Sequence, residues 1–121
     1  MSTGKLTTHV LDTAKGRPAA QITVEIWQLS QHPEARTLLT MAKTNANGRT
    51  DEPLLQGEDF NVGIYELIFA VGDYFAATED NLPNPQFLDR VPIRVGIANT
   101  QAHYHVPLLV SPWAYSTYRG S

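Results

Sequence analysis

Cysteine is absent from the 121 residues of this sequence. The absence excludes thiol catalysis, zinc sites built from cysteine and disulfide bonds, and it leaves no cysteine pairing from which to infer the redox compartment. Long apolar runs are absent too: no stretch approaches the roughly 18 apolar residues of a membrane-spanning helix, and the N-terminal segment lacks the apolar core of a signal peptide. We therefore predict a soluble protein without a membrane partner. Its expected location is the cytoplasm, or the peroxisome in a eukaryote.

An excess of charge of either sign is also missing. The sequence has 9 basic and 12 acidic residues, which give a formal net charge of -3. This balance offers no electrostatic footprint for nucleic acid or for an anionic membrane. A small neutral or anionic molecule stays open as the partner.

Length and composition together indicate one globular domain. The hydrophobic fraction is 42% and the charged fraction is 17%, which is neither a disordered nor a membrane composition. The chain shows no internal repeat, low-complexity tract or linker. We expect a single domain over residues 1–121 with one hydrophobic core.

Apolar and polar residues alternate in several short segments, which is the pattern of half-buried strands. The clearest segments are residues 65–71 and 89–97, while residues 21–29 and 37–44 repeat the pattern less cleanly. The apolar positions of the two clearest segments are Tyr65, Leu67, Phe69, Val71, Val91, Ile93, Val95 and Ile97. Several short strands at this spacing predict an all-β fold, an antiparallel β-sandwich.

One short helix and one sharp turn complete the predicted elements. Residues 72–80 are the only segment expected to be helical, and Pro83 and Pro85 disfavour any continuation of that helix. Asn47 and Gly48 both tolerate positive φ and so predict a tight turn.

The segment 102–110 places two histidines inside a predicted strand. Alternation puts Tyr104, Val106, Leu108 and Val110 on one face and His103, His105, Pro107 and Leu109 on the other. The first face can pack into the sandwich. The second combines titratable and apolar side chains, which suits a lined cleft or a subunit interface better than open solvent. Pro107 has no N–H, so we expect an edge, a bulge or a gap in strand pairing beside it.

The last residues combine groups of opposite charge. If residues 114–121 form a strand beside the histidine strand, alternation brings Arg119, the Ser121 hydroxyl and the final carboxylate close together. We expect this cluster to help form the wall of a site.

Four motifs recur in order along the chain: "LTTHVLDTAKGRPA" (6–19), "NGRTD" (47–51), "HYHVPLLVSP" (103–112) and "YSTYRGS" (115–121). Together they resemble the 5-hydroxyisourate hydrolase family, the transthyretin-related enzymes of purine catabolism, over essentially the whole chain. The final "YRGS" is the most specific of them. Transthyretin itself resembles this chain through "LLVSPWAYST", but a hormone carrier has no need of the titratable groups of His9, Arg49 and His105. That difference favours the enzyme.

The resemblance implies a transthyretin-like homotetramer with active sites in a central channel between dimers, and no metal or organic cofactor. It implies that the chain opens the six-membered ring of 5-hydroxyisourate at the N1–C6 amide, giving 2-oxo-4-hydroxy-4-carboxy-5-ureidoimidazoline. It assigns catalysis to His9, Arg49 and His105. It assigns substrate binding to Tyr118, Arg119, Gly120 and Ser121. Which histidine is the base, and whether His103 contributes, stay open.

These residue types suit the hydrolysis of an amide. Imidazole titrates near neutral pH and can take a proton from water, and the planar guanidinium of arginine can stabilise developing negative charge on a flat heterocycle. The sequence has no cysteine and no nucleophile elbow around a serine, so direct attack by water is the expected route.

Simpler interpretations stay open beside the enzyme. The chain can be a transthyretin-like carrier that binds a flat ligand without converting it. His9, His103 and His105 can form a three-histidine zinc site. The Asn47–Gly48–Arg49 turn can be an ordinary hairpin with a solvated arginine, and we assign no function to His32.

Overall fold

A computed structural model of the chain describes residues 3–30 and 35–121, and His32 lies outside these ranges. The strands are β1 (Lys5–Asp12), β2 (Arg17–Pro18), β3 (Thr23–Ser30), β4 (Ala35–Lys43), β5 (Leu55–Gln56), β6 (Gly63–Phe69), β7 (Val91–Ile97), β8 (His103–Val110) and β9 (Tyr115–Thr117). The α-helix is α1 (Val71–Thr78), and a 3-10 turn spans Gly57–Asp59.

The strands form two facing sheets, which confirms the predicted sandwich. One sheet has the order β2-β1-β8-β9, with β5 also paired to β1, and the other has the order β4-β3-β6-β7. All neighbouring strands are antiparallel except β1 and β8, which run parallel over their whole length. Most of the chain separates β1 from β8, so no short hairpin forces them into opposite directions.

The alternation of the sequence identifies the core. Tyr65, Leu67 and Phe69 of β6 are completely buried, and Val91 and Ile93 of β7 pack into the same cluster. Val71 is also buried, but it begins helix α1 instead of continuing the strand. The weaker periodicity of residues 21–29 and 37–44 has a structural cause, because the pairing of β3 with β4 shifts register between Ile26 and Trp27.

The predicted helix is present with slightly different bounds. It spans Val71–Thr78, against the expected residues 72–80, and buries Tyr74 and Phe75 against the core. In the described ranges no helix is long and apolar enough to cross a membrane.

A buried carboxylate links the end of β1 to helix α1. Asp12 is fully buried and accepts hydrogen bonds from Tyr74 Oη at 2.7 Å and from the backbone N–H groups of Ala14 at 2.9 Å and Lys15 at 3.0 Å. Burial raises the pKa of the Asp12 carboxyl, but the hydrogen bonds from Tyr74 and Lys15 outweigh it and hold this pKa below its ordinary value. Burial, with the Asp12 carboxylate beside it, raises the pKa of Tyr74 to about 12.

Replacing Tyr74 with Phe removes a hydroxyl that donates to a buried charge. Such hydrogen bonds contribute about 1.5–3 kcal/mol, so we expect Tyr74→Phe to lower the free energy of unfolding at neutral pH by about that amount, measured by urea denaturation. Because this hydrogen bond lowers the pKa of Asp12, its contribution is present above the unfolded-state pKa of the carboxyl. It is lost as the pH falls through the folded-state pKa.

Tyr115→Phe is the matched control, since it removes the same hydroxyl from a tyrosine that is 44% exposed. We expect it to change stability by less than about 0.5 kcal/mol at the same protein concentration. Equal losses in the two variants would show that the Asp12–Tyr74 contact contributes nothing specific.

Candidate active site

The outer face of the β1–β8 pair carries a row of polar side chains. The register places Thr7 beside His105 and His9 beside Pro107. Their sequence neighbours on β1 and β8 are buried in the core, so Thr7, His9, His103 and His105 point away from it. The histidine face predicted for β8 is confirmed, and β1 adds His9 to it.

Pro107 interrupts the pairing of β8 with β9, as expected. The regular pairing ends at Leu108 and Thr117, and the Pro107 carbonyl accepts a hydrogen bond from Thr117 Oγ1 at 2.7 Å. Contact resumes in the same register at an isolated bridge between His105 and Gly120, where the Gly120 N–H donates to the His105 carbonyl at 2.8 Å. The last residues are therefore held against His105.

Only glycine fits at position 120 in this arrangement. A Cβ there would lie 2.6 Å from His105 Cδ2, closer than any relaxed contact. The backbone of Gly120 thus packs directly on the imidazole and limits its movement. This accounts physically for the glycine of the "YRGS" motif.

The turn before Arg49 is fixed by the side chain of Asn45. Its Oδ1 accepts hydrogen bonds from the N–H groups of Asn47 at 2.9 Å and Arg49 at 3.3 Å. The Gly48 N–H donates to the Asn45 carbonyl at 2.9 Å, which closes the turn. The predicted turn is therefore confirmed, and it ends at the predicted arginine.

Because Gly48 has no side chain, this turn packs closely against β1. Its carbonyl accepts a hydrogen bond from the Val10 N–H at 2.8 Å, and its φ of +77° suits glycine. A Cβ at this position would overlap the Val10 carbonyl oxygen and lie 3.3 Å from His9 Cδ2. The close approach places Arg49 next to His9.

Strands β1 and β8, the segment that follows the Arg49 turn and the final residue enclose a cleft of ≈ 310 Å³. Arg49, His103 and Ser121 are exposed in the protomer, so the cleft opens to solvent. Its lining residues are Thr7, Thr8, Arg49, Thr50, Asp51, Glu52, Pro53, His103, His105 and Ser121. Three of the predicted site residues, Arg49, His105 and Ser121, thus share one cleft.

Two other predicted residues lie elsewhere in the protomer. Tyr118 and Arg119 line a neighbouring cleft of ≈ 340 Å³, in which the Arg119 guanidinium stacks 4.2 Å from the Tyr104 ring centroid. His105 lines both clefts. His105 thus lies between Ser121 on one side and Arg119 on the other. Substrate binding by Tyr118 and Arg119 stays a prediction.

Both candidate catalytic histidines favour the neutral form. Burial, then the nearby Arg49 cation, lowers the pKa of His9, against a smaller opposing effect from a hydrogen bond to the Asn47 backbone. Burial, Arg49, His103 and His9, in that order, lower the pKa of His105. Electrostatics therefore couples Arg49, His9 and His105, although His9 does not line the cleft itself.

Thr7 is a contact of the histidines that sequence reasoning missed. Its hydroxyl lies 2.7 Å from His103 Nε2 and 2.8 Å from His105 Nδ1. The available signal was the alternation of residues 5–12, which puts Thr7 on the same face as His9. Alternation alone does not predict the contact of Thr7 with the histidines, because it does not show that β1 lies beside β8.

Within residues 3–30 and 35–121 no group of three or more metal-ligating side chains could hold a metal ion. The histidines are spread along the face, and Thr7 occupies one ring nitrogen of each of His103 and His105. This arrangement does not support the three-histidine zinc site.

Comparison with known proteins is consistent with the motifs. The model of the HIUase/Transthyretin family matches residues 6–120. The chain belongs to this family. Within the family, it is 53% identical over 118 residues to "5-hydroxyisourate hydrolase 2" of Rhizobium meliloti (strain 1021), an alignment that covers 98% of this chain and 97% of that protein.

Solved structures of related proteins share the fold. The Klebsiella pneumoniae 5-hydroxyisourate hydrolase aligns with a TM-score of 0.77 and 30% identity over 100% of this chain and 96% of its own. An (S)-allantoin synthase aligns with a TM-score of 0.90 and 46% identity over the whole of this chain, which spans only 46% of that longer protein. Transthyretin from Sparus aurata, at 24% identity and a TM-score of 0.84 over 96% of each chain, shows the likeness of fold alone.

Replacing Gly48 with Ala tests how the Arg49 turn is held. The added Cβ would meet the Val10 carbonyl, so we expect the turn to move off β1 and carry Arg49 away from His9. Because burial and Arg49 lower the pKa of His9, this pKa should rise towards its ordinary value. Titration of the imidazole resonances by NMR measures the change.

Gly16→Ala is the control, since Gly16 has a similar φ of +67° but open space around its Cβ position. Both substitutions strain the backbone, yet only the one at Gly48 should alter the titration of His9. An unchanged pKa of His9 in Gly48→Ala, or the same shift in both variants, would refute this description of the turn.

Proposed function

We propose that this protein hydrolyses 5-hydroxyisourate, opening the six-membered ring at the N1–C6 amide to give 2-oxo-4-hydroxy-4-carboxy-5-ureidoimidazoline. The observation that carries the proposal is the cleft that holds His105 within the electrostatic reach of Arg49. It occurs in a chain about half identical to a named 5-hydroxyisourate hydrolase. A pocket with convergent polar groups and a histidine of perturbed pKa is what such chemistry requires.

His105 is the general base in this proposal. Its Nδ1 is bound to Thr7, whereas its Nε2 has no hydrogen-bond partner in the described part of the chain. Nε2 takes a proton from water while the water oxygen forms a bond to C6. The N1–C6 bond then breaks, and N1 receives a proton from the enzyme.

Arg49 and His9 complete the proposed machinery. The Arg49 guanidinium stabilises the negative charge that develops on the C6 oxygen. The hydrogen-bonded turn fixes the backbone from which this side chain extends. His9, next to Arg49, either orients the water or returns the proton to N1. No step of this route needs a metal or an organic cofactor.

The four final residues bind the substrate in this proposal. Gly120 holds His105 in position, and Ser121 contributes to the wall of the cleft. In this proposal the chain forms a homotetramer, and the site lies in a channel between its dimers. Assembly brings Tyr118 and Arg119 to the substrate. The exposure of Arg49 and His103 in the protomer supports this, because a second subunit would shield the reaction from bulk water. A cytoplasmic location stays a prediction from the sequence.

The decay of 5-hydroxyisourate tests the reaction directly. The compound is generated in place with urate oxidase, and its ultraviolet absorbance is followed with and without the protein. We expect decay well above the spontaneous rate. Folded protein that binds the compound but leaves its decay unchanged would instead identify a transthyretin-like carrier.

Substitutions at His105 and Arg49 test the assigned roles. Loss of a positioned base typically costs about 10²–10⁴-fold, and loss of an oxyanion donor about 10²–10³-fold. We expect kcat/KM to fall within these ranges for His105→Ala and Arg49→Gln respectively, with the assembly still folded. Arg90→Gln is the control, since Arg90 is a half-exposed arginine outside both clefts, 3.9 Å from the Asp73 carboxylate. Unchanged hydrolysis in both site variants would remove the assignment.

The pH profile tests the coupling between Arg49 and His105. Because the pKa of His105 is lowered, kcat/KM should fall on acidification only below the ordinary imidazole value of about 6.5. His9 and His103 also oppose protonation of His105, and the acidic Asp51 and Glu52 line the same cleft.

Arg49→Gln removes the cation, so we expect its acid limb to move to higher pH. Arg49→Lys keeps the positive charge but loses the planar guanidinium. Its acid limb should therefore stay near the wild-type position, while its kcat should be lower than that of the wild type. An acid limb that is identical in Arg49→Gln and the wild type would contradict the coupling.

A further inference from the structure

One hydroxyl group bridges the two histidines of β8. The imidazole centroids of His103 and His105 are 6.1 Å apart, and Thr7 Oγ1 lies between them, 2.7 Å from His103 Nε2 and 2.8 Å from His105 Nδ1. The pairing of β1 with β8 places Thr7 directly beside His105. The bridge therefore depends on the fold and not on neighbouring residues in the sequence.

The bridge couples the tautomers of the two rings. A threonine hydroxyl has a single hydrogen, so it donates to one ring nitrogen and accepts from the other. If it donates to His105 Nδ1, the neutral His105 carries its proton on Nε2 and cannot act as a base there. If it donates to His103 Nε2, His105 carries its proton on Nδ1 and keeps a free lone pair on Nε2.

We propose that Thr7 is a positioning residue whose hydroxyl donates to His103 Nε2 and accepts from His105 Nδ1–H, which leaves His105 Nε2 unprotonated in the cleft. The proposal rests on the proposed function, in which His105 is the general base. His103 thereby gains a role as the acceptor that orients the hydroxyl. It is exposed, so solvent can accept a hydrogen bond from the proton that its Nδ1 then carries.

The geometry of the ring supports this arrangement. Gly120 packs against the Cδ2 edge of His105, and Thr7 holds the Nδ1 edge, so the ring is fixed from two sides. When Nε2 receives a proton from water, Nδ1–H already donates to Thr7, and the imidazolium forms without any reorientation. An orienting group behind a histidine acts in this way in hydrolytic triads.

Thr7→Val and Thr7→Ser test the proposal. Valine keeps the β-branched shape on the strand but has no hydroxyl, whereas serine keeps the hydroxyl. The first measurement is the nitrogen-15 NMR spectrum of the histidine rings in the free protein at neutral pH. We expect His105 to carry its proton on Nδ1 in the wild type and in Thr7→Ser, and to move towards the Nε2–H form in Thr7→Val.

Kinetics provide the second readout. We expect Thr7→Val to lower kcat by about 10-fold to 100-fold with little change in KM, by analogy with groups that orient metal-ligating histidines. Thr7→Ser should restore most of the rate. Thr23→Val, the same substitution on the other sheet, should leave kcat unchanged.

Either of two results would overturn the proposal. One is a wild-type His105 with its proton on Nε2, and the other is an unchanged tautomer and kcat in Thr7→Val. The tautomer measurement needs no substrate, so it tests Thr7 even if the wild type fails to hydrolyse 5-hydroxyisourate, and that failure would count against the proposed function alone. If Thr7→Val does not fold, the wild-type spectrum still decides the position of the proton.

Discussion

The parallel pairing of β1 with β8 is the constraint on which the site depends. It joins Lys5–Asp12 to His103–Val110 in continuous register. A slip of β8 by one residue would turn His103 and His105 into the core and Val106 into solvent, because side chains alternate between the faces of a strand. The buried apolar face therefore holds the register, and the register brings Thr7 to His105. Packing on the inner face of the sheet therefore determines which side chains meet on its outer face.

Two glycines and one buried carboxylate support this arrangement. Gly48 lets the Arg49 turn approach β1, and Gly120 lets the final residues pack on the ring of His105. Asp12 ends β1 in the core, where the Tyr74 hydroxyl donates a hydrogen bond to its carboxylate. The same strand thus carries a stabilising ionised group on its inner face and a histidine kept neutral by burial and Arg49 on its outer face. Hydrogen bonds keep the Asp12 carboxyl ionised, whereas burial and the Arg49 cation keep His9 neutral.

Much of the fold could be predicted from the sequence, because periodicity reports which residues share a face. Alternation predicted the sandwich, the buried face of β8 and the gap at Pro107. Periodicity does not report which strands are neighbours, so the parallel direction of β1 and the contact of Thr7 with His105 were missed. For the same reason the stacking of Arg119 on Tyr104, in a second cleft that His105 also lines, was missed. The resemblance to a family, not local pattern, singled out His9 and Arg49.

The most direct test of this site is a crystal structure of the protein soaked with urate, a flat purine that lacks the 5-hydroxyl group of the proposed substrate. We predict that the urate ring lies in the cleft between the Arg49 turn and β8, with its oxygens in contact with the Arg49 guanidinium and one edge facing His105 Nε2. Urate bound in the cleft of Tyr118 and Arg119 without any contact to Arg49 would contradict the proposed site.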